Sequence, residues 1–270
     1  SRNVVEDIAN IELRPTFLGI VDNSALGEEV IHKLQRHKVN TEYMQTVPGG
    51  MGTWLAVFDH NGDVAGSISQ RPDLTPILTI LEEKGDEIIS QCDSVVIEVD
   101  MDKEIVKKVV LLCEKYNKKL YGVVSNMSIA MERRDFLQKF DCFICNQQEA
   151  GMFFSDDYND KTPDKMQDIL ADCLKHANIS SMVVTMGGQG AVFADKNGLR
   201  GFCPARSVQV KDTTGAGDSF CAGVASGLTY GNTLEEAVAI GTRLAASVIT
   251  SSENVCPRFL PAELGITEQV

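Results

Sequence analysis

The chain has 270 residues, 43% of them hydrophobic, which is enough to bury a full core in one large domain. A formal charge of -13 at pH 7 and a pI near 4.8 exclude a nucleic-acid backbone or an anionic membrane surface as the main partner, since both reward basic patches. No run of about 18 apolar residues and no basic-then-apolar leader stands in the sequence, so neither a membrane span nor a signal peptide is expected, and a cytoplasmic protein is.

Residues 3–11 have a helical pattern that Pro15 ends, and residues 16–21 read as a buried strand. Residues 25–36 read as the next helix. Two extended segments, 53–58 and 63–68, flank the turn Asp59-His-Asn-Gly62 and predict a hairpin over about residues 48–70. Strands and helices then alternate: helix 76–89, strand 94–99, helix 103–116, strand 119–124, helix 132–140, strand 141–145. This rhythm predicts an α/β fold with a mostly parallel sheet flanked by helices. Helix 163–176, strand 181–185, a Gly-rich turn at 187–190, strand 191–194, and helices 216–230 and 234–250 complete the chain. No repeat, low-complexity tract or linker interrupts it, so a single domain is expected.

The eight cysteines are scattered through apolar stretches and read as reduced core residues. Cys142-Phe-Ile-Cys145 has a C-x-x-C form, but on a strand residues three apart face opposite sides, which favours packing over metal or redox use. His32, His37, His60 and His176 have no mutual spacing suited to a metal site.

The segment with most chemical content is Asp212-Thr-Thr-Gly-Ala-Gly-Asp218. Backbone N–H groups at Gly215, Ala216 and Gly217, at the start of a helix, form a cradle for an anion. Asp218, in the first turn, is placed to accept a proton from an incoming hydroxyl. A tight loop with a capping Asp is the plainer reading of an isolated G-x-G. The full string carries more weight, because residues 212–223 resemble the C-terminal signature of the PfkB/ribokinase family of carbohydrate kinases.

That resemblance implies a ribokinase-like fold with a small β lid, and phosphoryl transfer from ATP to a hydroxymethyl group of a sugar or nucleoside. Asp218 would be the general base, and the backbone of Gly215, Ala216 and Gly217 the anion hole. Asn146-Gln-Gln-Glu149 resembles the family's N-x-x-E motif, in which Glu149 organises Mg2+ through water; alone, the pair is equally a helix cap. Thr185-Met-Gly187-Gly188, running on to Gly190, resembles the T-x-G segment of the nucleotide site, and without the resemblance it is a hairpin turn. The stretch 249–257, including Asn254, corresponds to the adenine pocket. The loop 250–254, with Asp212 and Thr214, falls where some members hold a monovalent cation such as K+.

Arg2-Asn3 with its amphipathic helix resembles the tail of the family's first signature, which implies substrate contacts for Asn3 and Arg2. The two glycines preceding that tail are absent, so the family's first strand, a substrate-binding Asp and part of the lid are expected upstream of Ser1. Val21-Asp22-Asn-Ser-Ala-Leu-Gly27 stands where the family has V-G-D-D-x-x-G, and Ser125-Asn126 where many members have Asp-Pro. Arg2-Asn3, the segment from Gly50 through Thr53 to Asp59, and the tail 250–257 look most like pseudouridine kinases, which implies the 5'-hydroxyl of pseudouridine as acceptor and a substrate contact for Thr53. Ribose, adenosine, fructose or a phosphosugar are alternative acceptors. A non-catalytic nucleotide or sugar sensor is the alternative of another class, and the presence of Asp218 and Glu149 speaks against it. A dinucleotide-binding dehydrogenase is excluded, since no strand leads into G-x-G-x-x-G. The hairpin also offers a surface for a homodimer.

Overall fold

The structure, a computed structural model, describes residues 2–58 and 64–267. The expected turn at 59–62 and the side chain of Trp54 lie outside the described residues.

Helix α1 (Arg2–Asn10) buries Val4, Val5 and Ala9, together with two carboxylates, Glu6 and Asp7. Strand β1 (Gly19–Val21) is shorter than expected, and Thr16 contributes only an isolated bridge to Asn40. Its parallel partner β2 (Met44–Thr46) is three residues long, so it can hold no longer ladder. Helix α2 (Ala25–Arg36) starts at Ser24, whose hydroxyl accepts from the Gly27 N–H at 3.2 Å. Strands β3 (Thr53–Phe58) and β4 (Val64–Gln70) form the expected antiparallel hairpin, with Leu55 opposite Ile68. Both of those side chains are exposed.

The single helix expected over 76–89 is two, α3 (Thr75–Glu83) and α4 (Gly85–Gln91). The chain breaks at Lys84 (φ -122°). Gly85 there sits so close to the next long helix that a Cβ would lie 2.6 Å from Leu112. Strand β5 (Ser94–Glu98), helix α5 (Lys103–Tyr116) and strand β6 (Lys119–Val123) follow as expected. The helix expected over 132–140 is replaced by two single turns, α6 (Met127–Ala130) and α7 (Arg134–Leu137), joined by a 3-10 turn. Ala130, Leu137 and Phe140 are its fully buried anchors, too few to demand a continuous helix.

Strand β7 (Cys142–Asn146) runs directly into helix α8 (Gln147–Phe154), which periodicity does not foretell. Helix α9 (Pro163–Ala177), strand β8 (Ser181–Thr185), strands β9 (Gly190–Asp195) and β10 (Arg200–Pro204), and helices α10 (Ala216–Thr229) and α11 (Leu234–Ile249) complete the order.

The six-stranded sheet has the order β10-β9-β8-β7-β6-β5. Strands β5 to β8 are parallel, β9 runs antiparallel to β8, and β10 runs antiparallel to β9. One face carries α3, α5, α8 and α9 on a core that includes Val99, Phe143, Leu170 and Met182. On the other face, Tyr121, Ile144, Val183 and Phe193 meet Phe220 and Val224 of α10 and Val238 of α11. The two C-terminal helices touch through glycines, since a Cβ on Gly223 would stand 2.7 Å from the Gly241 Cα. This contact fixes where the start of α10 lies over the sheet. All eight cysteines are free thiols. Cys145 belongs to the first core and Cys142 to the second, as strand alternation requires. Among the described residues no cluster of three His, Cys, Asp or Glu side chains is arranged to hold a metal ion. None of their helices is long and apolar enough to cross a membrane.

Candidate active site

The start of α10 is built by its neighbours. The Asp212 carboxylate accepts the Thr214 N–H at 2.8 Å, which holds the acid well inside its ionised range. The Lys211 N–H donates to the Ile249 carbonyl at 2.7 Å, tying the segment to the end of α11. Gly215 then takes φ +83°, and a Cβ on it would lie 2.0 Å from the Asn254 carbonyl oxygen, so the turn admits no side chain. The Ala216 N–H turns back to the Thr213 carbonyl at 3.2 Å. Gly217 and Asp218 are the second and third residues of the helix, where N–H groups have no carbonyl one turn earlier. Nothing lies within 4 Å of a Cβ built on Gly217, so the cradle opens there.

Asp218 is met from the far end of the chain. Its Oδ2 accepts a hydrogen bond from Asn3 Nδ2 at 2.7 Å. The Oδ1 of Asn3 faces two donors, Asn254 Nδ2 at 3.3 Å and Arg2 Nη2 at 3.4 Å, and these orient the amide with its nitrogen toward Asp218. Arg2 is itself held by the completely buried Glu6 at 3.1 Å, with Lys33 of α2 on the other carboxylate oxygen at 3.3 Å. The guanidinium is therefore engaged within the protein, beside the Asn3 that sequence similarity pairs it with.

Behind Asp218 lies Asp7, fully buried, accepting from the Ser219 hydroxyl at 2.8 Å and from the Cys256 N–H at 2.5 Å. Burial pushes its carboxyl up to about 7; the two hydrogen bonds oppose that rise and the Asp218 charge adds to it. Sequence reasoning passed over Asp7. The available signal was its spacing, for Asn3, Asp7 and Asn10 fall on one helical face, and Asn10 also binds this region through the Cys256 carbonyl at 2.7 Å. The proton affinity of Asp7 is higher in the folded chain than the ordinary value of 3.8. Its contribution to stability is thus fully present below about pH 3.8 and lost as pH rises through about 7. Asp7→Asn removes that loss, and the expected result is a Tm above wild type at about pH 8, read by thermal denaturation.

The second half of the site stands at the ends of β7 and β8, where Asn146 and Thr185 are register partners. Asn146 and Glu149 form a reciprocal cap: Asn146 Oδ1 accepts the Glu149 N–H at 2.8 Å, and Glu149 Oε2 accepts the Asn146 N–H at 2.7 Å. This pairing leaves Oε1 of Glu149 outside the cap. The half-buried carboxyl is pushed up by burial; the Asn146 N–H opposes the rise, and the nearby Asp100 charge adds to it. Asp100, at the end of β5, is buried and held by Arg71 and by the Ser125 N–H at 3.2 Å. A carboxyl whose ionisation is opposed by burial and by a neighbouring negative charge is a fitting setting for a divalent cation. With so few protein oxygens, the ion would be Mg2+ held largely through water and phosphate.

Burial pushes the Cys221 thiol of α10 up, and the charges of Asp218 and Glu149 add to the rise. Thr185 directs its hydroxyl toward the Cys145 carbonyl at 3.5 Å. Gly187 (φ +56°) is open to approach, whereas Gly190 is a packing glycine, with a Cβ there 2.1 Å from the Cys203 carbonyl oxygen. Thr53 is exposed at the start of the hairpin, and no bond joins it to Asn3 or Asp218 among the described residues.

The family model described as pfkB family carbohydrate kinase matches residues 1–256. A guanosine-inosine kinase of Exiguobacterium acetylicum is 33% identical over 266 residues, covering 97% of this chain and 86% of that protein. A ribokinase of Schizosaccharomyces pombe is 20% identical over 240 residues, covering 88% and 74%. Among solved structures, Arabidopsis thaliana ribokinase complexed with ribose and ATP matches with a TM-score of 0.80 at 18% identity, over 98% of this chain and 86% of that one. The adenosine kinase of Sinorhizobium meliloti matches with a TM-score of 0.75 at 22% identity, over 94% and 78%. The fold is ribokinase-like.

Proposed function

We propose, because this chain belongs to the pfkB family of carbohydrate kinases, that it transfers the γ-phosphoryl group of ATP to the 5'-hydroxymethyl group of a nucleoside. The observation that carries the reading is the Asn3 to Asp218 hydrogen bond of 2.7 Å at the mouth of an open helix N-terminus. Asn3 occupies one carboxylate oxygen and leaves the other for the proton of an incoming hydroxyl. The N–H groups at Gly217 and Asp218, with the partial positive charge of α10, receive the phosphoryl group as its oxygens gain charge. Gly215 keeps that turn against the Asn254 backbone. Glu149 and Asn146 stand at the polyphosphate side, where Mg2+ neutralises charge when bound. The hairpin of β3 and β4, tied at its end by Arg71 to Asp100, acts as a lid that keeps water from the transferring group.

A purine nucleoside is the first choice of acceptor, because the relative that is 33% identical over nearly the whole chain is named a guanosine-inosine kinase. Pseudouridine is the second, on the likeness of Arg2-Asn3, residues 50–59 and the tail 250–257. The decisive measurement is ADP release with MgATP, with and without K+, over guanosine, inosine, pseudouridine, uridine, adenosine, ribose and fructose 6-phosphate. Turnover on guanosine and inosine about tenfold above the others is the expected outcome. Pseudouridine alone would move the acceptor to the second choice, a sugar alone would remove the nucleoside, and ADP release with none of them would refute the kinase reading.

Glu149→Gln keeps the cap geometry but lowers the charge near the polyphosphate. It should raise the Mg2+ concentration for half-maximal rate by about ten- to a hundredfold, read by titrating Mg2+ at saturating ATP.

A further inference from the structure

Three stretches remote in sequence are tied together by one buried carboxyl. Asp7 on α1 accepts from Ser219 on α10 at 2.8 Å and from the N–H of Cys256 in the C-terminal segment at 2.5 Å. Each stretch also supplies one member of the polar chain in front: Asn3 lies one helical turn from Asp7, Asp218 precedes Ser219, and Asn254 lies two residues before Cys256. In that chain Asn254 donates to Asn3 at 3.3 Å and Asn3 to Asp218 at 2.7 Å. The knot behind and the relay in front thus share their scaffold, segment for segment.

A carboxyl is a costly way to fill such a place, since an apolar side chain would pack there without desolvation. Asp218 from α10 and the Cys256 thiol from the C-terminal segment are the titratable groups that face Asp7, and no cation is among its partners within the described residues. The neighbouring Glu6 is turned to Arg2 and to Lys33 of α2. Burial brings the Asp7 carboxyl to about 7.

We propose that Asp7 is a positioning residue for phosphoryl transfer, holding Asn3, Asp218 and Asn254 in register through Ser219 and Cys256 and switching that hold with its own charge. The inference rests on the kinase reading given above. As a carboxylate, Asp7 accepts both bonds with charge assistance, and its negative charge behind Asp218 attracts the proton that the acceptor hydroxyl must give up. With a proton on Oδ2, it instead donates to Ser219 Oγ, the serine hydrogen turns elsewhere and the charge assistance is gone. Asp7 exchanges this proton with solvent and passes none to the substrate.

The test compares wild type, Asp7→Asn and Ser219→Ala by kcat and KM between about pH 5.5 and about 8.5, and by the infrared carboxylic acid band of Asp7. In wild type, kcat should rise about fivefold through a midpoint near 7 with KM little changed. The step should vanish in Asp7→Asn. In Ser219→Ala it should move to higher pH, because a bond to the charged form is lost. A merely structural Asp7 would leave the shape of the pH profile alone, so an Asp7→Asn curve that superimposes on wild type overturns the proposal. Infrared difference spectra of wild type minus Asp7→Asn need no turnover: a protonated acid near pH 6 that disappears by about pH 8 is expected, and its absence also overturns the proposal. If that band titrates in a protein that phosphorylates no acceptor, the kinase reading is what has failed.

Discussion

Asp218→Asn should lower kcat by roughly a hundred- to ten-thousandfold while leaving ATP affinity nearly unchanged. The exchange is nearly isosteric. The amide oxygen can still accept the Asn3 bond now found at 2.7 Å, so the relay from Asn254 through Asn3 keeps its shape. What the amide cannot do is take a proton from the attacking hydroxyl. A fall confined to kcat, with ATP binding measured by equilibrium titration staying close to wild type, would therefore assign proton transfer to this residue. Near-normal turnover would take the base away from Asp218 and leave it as a capping residue of α10.

Gly215→Ala should damage both the fold and the reaction. The residue sits at φ +83°, and the added methyl would meet the Asn254 carbonyl oxygen at 2.0 Å. That neighbour is backbone, so no side-chain rotation relieves the clash. Strain of this kind costs about 1–3 kcal/mol. A displacement of about 1 Å in the cradle is enough to lower turnover about a hundredfold. Gly217→Ala is the matched control, because its Cβ would enter open space. That variant should melt at or slightly above the wild-type temperature, as alanine favours the helix, yet bind ATP less well because the methyl stands where the phosphoryl group arrives. Thermal denaturation beside ADP release separates the two. If both variants behave alike, the close approach of Gly215 to Asn254 does not shape the cradle.

The sequence revealed the elements whose hydrophobic period runs long enough. Helices α2 and α5 fall where the pattern put them, as do β3 and β8. What escaped was decided by tertiary contact. Strand β10 contains Gly201 and ends at Pro204, and it is held by the Phe193 ring over Gly201, where a Cβ would lie 2.4 Å from the ring. No local signal announces that. The break between α3 and α4 likewise depends on Leu112, more than twenty residues on.

The candidate site divides in the same way. Gly215, Gly217 and Asp218 were legible because one contiguous string carries both the glycine turn and the carboxylate at the start of α10. Asn146 and Glu149 were legible as a spacing, although a capping pair and a phosphate-side pair share that spacing, and the observed cap is compatible with both. Asp7 was legible only as a position on the helical face of Asn3 and Asn10, and Glu6 not at all. Adjacent acids on an amphipathic helix ordinarily mark its wet side, and only the arrival of α2, α10 and the C-terminal segment makes both of them interior.

The bond between Asp7 and Cys256 spans 249 positions of the chain. A ribosome adding about 5–20 residues per second needs roughly 12–50 s to cover that interval. Throughout it, α1 has been made while Cys256, which donates to its buried Asp7, has not. The nascent chain must therefore keep α1 either hydrated or sheltered by a chaperone until α10 and the last segment emerge. The parallel strands β5 to β8, whose partners are synthesised close together, can meanwhile assemble in order. A message truncated before residue 256 would yield a chain whose buried Asp7 lacks the Cys256 N–H.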